Sequence, residues 1–104
     1  MENIIVFVTC ADKKEAKKIS SALVANRLAA CVNIAGNIES VFWWQGKVDS
    51  SSEVLLMAKS LKNKFAKITK LVKSLHSYEV PEIIALPVIM GDKKYLGWIK
   101  ESVK

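Results

Sequence analysis

A chain of 104 residues has room for one hydrophobic core and, with roughly two-thirds of its unfolded surface to bury, none for a second. A hydrophobic fraction of 51% beside 25% charged residues excludes disorder, and the longest apolar runs, such as residues 83–90, fall short of the roughly 20 residues a membrane-spanning helix needs. A net charge of +6 keeps nucleic-acid binding in view until the placement of that charge is known.

The start, MENIIVFVTCADKK, has no basic opening, apolar middle and small-residue cleavage site of the secretory kind, which predicts a cytoplasmic protein. Residues 4–9, IIVFVT, are β-branched and apolar and read as a buried strand. Asp12, followed three residues later by Glu15, resembles a capping box and opens a helix to about Ala30, with Ala16, Ile19, Leu23, Asn26 and Ala30 inward and Lys13, Lys14, Lys17 and Lys18 outward.

CVNIAGNIESVFWW resumes strand character, with a bend or bulge near Gly36–Asn37. A turn at residues 45–47 sends the chain back through residues 52–59, SEVLLMAK, as the second arm of a long hairpin. Ser60 is placed to cap a second helix over residues 61–76, with Phe65, Ile68, Leu71, Val72 and Leu75 inside. Residues 83–90 form a fourth strand, in which Pro87 has no N–H to give a ladder and belongs at an edge or bulge. A terminal helix covers residues 93–101.

The order βαββαβ plus a helix, without repeat or linker, is the α+β, ferredoxin-like plan, over residues 1–104 as one domain. Its usual strand order, 4-1-3-2, puts the proline-bearing strand at an edge. Two layers cover one face of a sheet, yet the third strand is apolar on both sides, and Trp43 and Trp44 must point to opposite faces. Other copies of the chain are the expected cover, since monomers rarely expose apolar patches beyond a few hundred Å²; the competing reading folds the terminal helix, with Trp98, back over the bare face.

The two cysteines sit at opposite ends of the first helix, about 18 residues or ~27 Å apart, too far for a disulfide or a shared metal within one chain. His76 closes the second helix at the end of the sheet where the first strand finishes, so Cys10, His76, Glu79 and Glu82 are a candidate set for copper or another divalent cation. The plainer readings are a buried thiol and a histidine at a helix C-terminus. Cys31 reads as buried and inert. The lysines of the second helix spread over more than half its circumference without interleaved aromatics, a solvated face rather than a nucleic-acid track.

Four stretches in order, RLAACVN (27–33), SVFWWQGKV (40–48) with Glu53 and Lys59 after it, HSYEVPEI (76–83) and YLGWI (95–99), resemble the CutA family of divalent-cation tolerance proteins. The resemblance implies a homotrimer built by the hairpins through Phe42, Trp43, Trp44 and Trp98. It implies a part in handling copper or other divalent metals, no catalysis or organic cofactor, and PII-like binding or signalling in clefts between subunits. No nucleic-acid or membrane partner follows from it. Trp44, Glu53, Lys59 and Tyr78 are candidates to line such a cleft, or to pair and pack at the seam itself. Where the family usually has proline and tyrosine this chain has Ser77 and Phe42; where copper-linked members have a strand-one cysteine and a histidine doublet it has Val8 and Leu75–His76, leaving one matching ligand. The reading from another class is a small hydrolase or transferase with an intersubunit site, for which a single histidine offers few arrangements.

Overall fold

The computed structural model describes residues 2–104. β1 (Asn3–Cys10), α1 (Lys13–Ala25), β2 (Cys31–Trp44), β3 (Lys47–Leu61), a 3₁₀ turn (Lys62–Lys64), α2 (Phe65–Leu75), β4 (Ile83–Pro87) and α3 (Lys93–Ser102) follow in chain order. One antiparallel sheet runs β2-β3-β1-β4, so Pro87 does lie on an edge strand.

Register explains the layering. Val6 sits opposite Ala58 and Val8 opposite Leu56, and all four are fully buried under Ala16, Ile19 and Leu23 of α1 and Ile68 and Val72 of α2. The alternate positions face the other way: Ile5, Phe7, Leu55, Met57, Ile84 and Leu86 share the face opposite α1 and α2, and Ile84 and Leu86 are half exposed. α3 covers only the foot of that face, since Leu61 follows Lys59 and Met57 on the same side of β3. Ile99 of α3, with Val103 beyond it, packs on Leu61 at the foot of β3, and Trp98 stays 45% exposed.

Beyond the core, β2 and β3 have only each other. β1 engages β3 from Val54 to Leu61, so the hairpin above Glu53 projects and stretches the molecule to 44 Å. Its tip is a two-residue turn in which Gln45 (φ 50°) and Gly46 (φ 78°) are both left-handed, the conformation that suits the twist of a tight hairpin. The expected bulge falls between Ala35 and Ile38, with Asn37 at φ 59°.

Three boundaries differ from the sequence expectation. α1 ends at Ala25, not Ala30: Asn26 donates its side-chain amide to the Ala22 carbonyl, Arg27 turns left-handed at φ 56°, and the Leu28 and Ala29 amides both return to the Leu23 carbonyl. Asn26 is therefore exposed, and Leu28 and Ala29 enter the core from a loop. Ser60 caps nothing. It remains in β3, fully buried, and donates to the Leu28 carbonyl, and α2 proper starts at Phe65 after the 3₁₀ turn. β4 ends at Pro87, whose nitrogen faces the open edge, so β1 loses no bond there; the Val88 amide still reaches the Asn3 carbonyl at 3.0 Å, and Ile89 and Met90 then emerge more than 80% exposed.

The core predicts its own weak points. Ile19→Ala, which empties a fully buried site between α1 and the sheet, is expected to cost about 2–5 kcal/mol in chemical denaturation. Lys17→Ala, on the exposed side of the same helix, should stay within about 0.5 kcal/mol of the parent.

Candidate functional site

At the end of the sheet where β1 runs into α1, the loop after α2 folds over and the polar groups of four segments converge. Asp12 caps α1 by accepting the Glu15 amide at 2.8 Å, which fixes Glu15 in the first turn. The Glu15 carboxylate then accepts from the Ala11 amide (3.2 Å), the Ser77 amide (2.7 Å) and the Ser77 hydroxyl (2.9 Å). Ser77 supplies two donors at this point, its amide and its hydroxyl, neither of which a proline has.

His76, the C-cap of α2, turns its ring into the same place. Nε2 lies 2.7 Å from the Thr9 carbonyl and must carry a proton to satisfy it, and Nδ1 accepts the Tyr78 amide at 3.0 Å while Glu15 Oε1 stands 3.1 Å away. Both nitrogens are thus committed inside the chain. Tyr78 tilts against the imidazole, centroids 4.7 Å apart, and donates its hydroxyl to Glu53 Oε2 at 2.8 Å. Glu53, only 9% exposed, has this phenol as its hydrogen-bond partner.

Electrostatics follow from burial. Cys10 is fully buried, which pushes its thiol up to about 12, and the negative charges of Glu15, Asp12 and Glu53 add to the shift. Burial raises the Tyr78 phenol to about 12 as well, reinforced by the hydrogen bond it donates to Glu53. Neither group is poised to lose its proton near neutrality.

The candidate metal set is only half assembled. Cys10 and His76 come to the same end of the sheet, but Glu79 and Glu82 are exposed and the carboxylate at the imidazole is Glu15. Among the described residues no three of His, Cys, Asp and Glu gather as a cation would require. With a protonated thiol and an imidazole whose nitrogens both have partners, one chain does not fit a resident metal. Of the candidate cleft residues, Glu53 and Tyr78 meet. Lys59 is six residues along β3 from Glu53, and Trp44 pairs with Lys47 six residues the other way, each step about 20 Å, so one subunit cannot bring these four to one ligand. Phe42 (37%), Trp43 (74%), Trp44 (58%) and Trp98 (45%) all keep substantial exposed surface. Both cysteines are free.

Sequence reasoning read Glu15 as a cap and stopped there. Its partner Ser77 is 62 residues away, and no local pattern announces that contact; the one available signal was the Asp12–Glu15 spacing, which aims the carboxylate back over the helix start.

The raised thiol and phenol make stability fall at alkaline pH. The folded state holds these protons above the ordinary values of 9.0 and 10.0, so their contribution is intact below pH 9 and is lost as pH climbs towards 12. Cys10→Ala should flatten the first part of that decline in pH-dependent denaturation. In the native protein at pH 8, iodoacetamide should label Cys31 and reach Cys10 only after denaturant is added.

Comparison with known proteins adds to this geometry. The family model described as CutA1 divalent ion tolerance protein matches residues 4–102. Protein CutA 1, chloroplastic, of Oryza sativa subsp. japonica is 44% identical over 102 residues, covering 98% of this chain and 58% of that protein. The divalent-cation tolerance protein CutA of Thermus thermophilus is 44% identical over 98 residues, covering 94% of this chain and 95% of its own length. The crystal structure of CutA1 from Oryza sativa superposes with a TM-score of 0.97 at 43% identity, over 100% of this chain and 95% of the other. This chain spans little more than half the rice protein and nearly all of the bacterial one.

Proposed function

Because this chain belongs to the CutA1 divalent ion tolerance family, we propose that it acts as a homotrimeric, non-enzymatic binding module of divalent-cation tolerance, PII-like in using clefts between subunits. The observation that carries the reading is the sheet face opposite α1 and α2, which α3 covers only at its foot: Ile5, Phe7, Leu55, Met57, Ile84 and Leu86 on one side, continued by a projecting hairpin with two exposed indoles. Surface of that kind is stable when sister chains bury it. The three-fold count and the PII-like role come from the family resemblance.

The cleft follows from the same arrangement. Trp44, Glu53, Lys59 and Tyr78 are too far apart to serve one ligand from one subunit, and the proposed trimer offers a way to unite them, the hairpin tip of one copy reaching the Glu53–Tyr78 end of another. A metabolite-sized or anionic ligand suits Lys59 and the indole. The cation, Cu²⁺ or another divalent ion, is then a passing cargo rather than a resident cofactor, since no closed ligand set exists within a chain among the described residues. His76, the single histidine, is used to hold Thr9 and Tyr78, which supports a role without catalysis. The two free cysteines support a reducing, cytoplasmic setting.

Native mass spectrometry of untagged protein should report three subunits. Trp44→Ala, removing an interface anchor, should weaken assembly by about 2 kcal/mol or more, roughly thirtyfold in dissociation. A folded single subunit persisting at nanomolar dilution would overturn the reading. Treatment with a chelator should leave both the trimer mass and the melting temperature unchanged; dissociation on metal removal would instead assign the ion a structural place.

A further inference from the structure

The fold collects the surplus positive charge on the side away from the bare sheet face. Residues 11–25 and 61–76, which make α1, the 3₁₀ turn and α2, hold nine lysines against two carboxylates, while the rest of the chain holds seven basic side chains against eight acidic ones. Both carboxylates are engaged, Asp12 as the cap of α1 and Glu15 in its contacts with Ala11 and Ser77. Among the described residues, Lys62 alone of the nine has a carboxylate within ion-pair distance, Glu2 at 3.6 Å.

Taken one helix at a time, these lysines read as a solvated face; the fold sets the two helices side by side. β1 and β3 are antiparallel, so α1 and α2, each returning from one of them over the same sheet face, are antiparallel too. The bonds from Ser77 to Glu15 hold the first turn of α1 against the end of α2. The exposed Lys14 and Lys18 lie opposite the buried Ala16 and Ile19 of α1, and the exposed Lys70 and Lys73 lie opposite the buried Ile68 and Val72 of α2. Side by side on one layer, the outward lysines of the two helices form one broad cationic surface. Val24 is the only large hydrophobic residue exposed on either helix among the described residues, so the layer carries neither an aromatic platform for stacking on bases nor an apolar wedge for a bilayer.

We propose that the α1–α2 layer is a docking surface for the phosphate backbone of duplex nucleic acid, read by charge and not by sequence. The proposal is independent of the trimer reading: the layer lies across the sheet from the face assigned to sister chains, and both can be occupied together.

Fluorescence anisotropy of the full chain with a labelled duplex of about 20 base pairs, across a salt series, tests it. With four to six phosphates neutralised, log affinity should fall against log salt with a slope of about −4 to −5, equally for unrelated sequences. The variant K14E/K18E/K70E/K73E should lose at least about tenfold in affinity and show a flatter slope, whereas K93E/K94E/K100E/K104E, of identical net charge but altered on and after α3, should bind as the parent does. The corresponding glutamine variants should rank in the same order and decide the matter if charge reversal impairs folding. Equal losses in the two sets, no binding at about 25 mM salt, or tighter binding to phosphatidylserine vesicles than to duplex at equal phosphate would each overturn the proposal.

Discussion

A sheet layered on one side leaves its second face to water, and strand alternation decides what that face shows. In this chain both sets of alternating positions are apolar. Val6, Val8, Leu56 and Ala58 meet α1 and α2, while Ile5, Phe7, Leu55 and Met57 stay half-buried on the face those two helices leave uncovered. The helix-side cluster defines the fold; the second set is only half-buried in one subunit, and that incomplete burial is what the proposed self-association rests on. The long hairpin extends this logic, since its upper half, paired only with itself, gains no core contact for the order it imposes.

The polar residues at the end of the sheet serve the same architecture. Glu15, His76, Ser77, Tyr78 and Glu53 are residue types from which reactive sites are built, but here their donors and acceptors are spent on one another and on backbone. The loop after α2 is tied to the start of α1 and the end of β1 by these bonds, fixing how β4 enters the sheet. Reactive chemistry needs groups whose protonation shifts near neutrality, and burial moves the thiol and the phenol the other way.

Much of this was legible in the residues. Strands and helices announced themselves by period, the Asp12 cap and the Gly36–Asn37 irregularity by residue type, and Pro87 by its missing donor. What stayed hidden depended on distance along the chain. Ser60 has the chemistry of a helix cap, and only the Leu28 carbonyl, 32 residues earlier, makes it a buried donor. Arg27 reads as helical because nothing about arginine demands φ 56°; the turn is imposed by Asn26 and by Leu28 and Ala29 seeking the core. Glu79 and Glu82, close to His76 along the chain, are the carboxylates the sequence offers it, and tertiary geometry places Glu15 there instead.

β2 is an outer strand, and its free edge is a hazard as well as an opportunity. Unpaired N–H and C=O groups along a flat ribbon are a template for promiscuous strand addition, and a lone chain carries them exposed. The irregularity at Gly36–Asn37 divides that edge into segments of five and seven residues and twists one away from the other. A kink that looks like an interruption of the hairpin therefore doubles as protection against amyloid-like stacking, and straightening it would lengthen the cohesive edge at the moment the chain is most vulnerable.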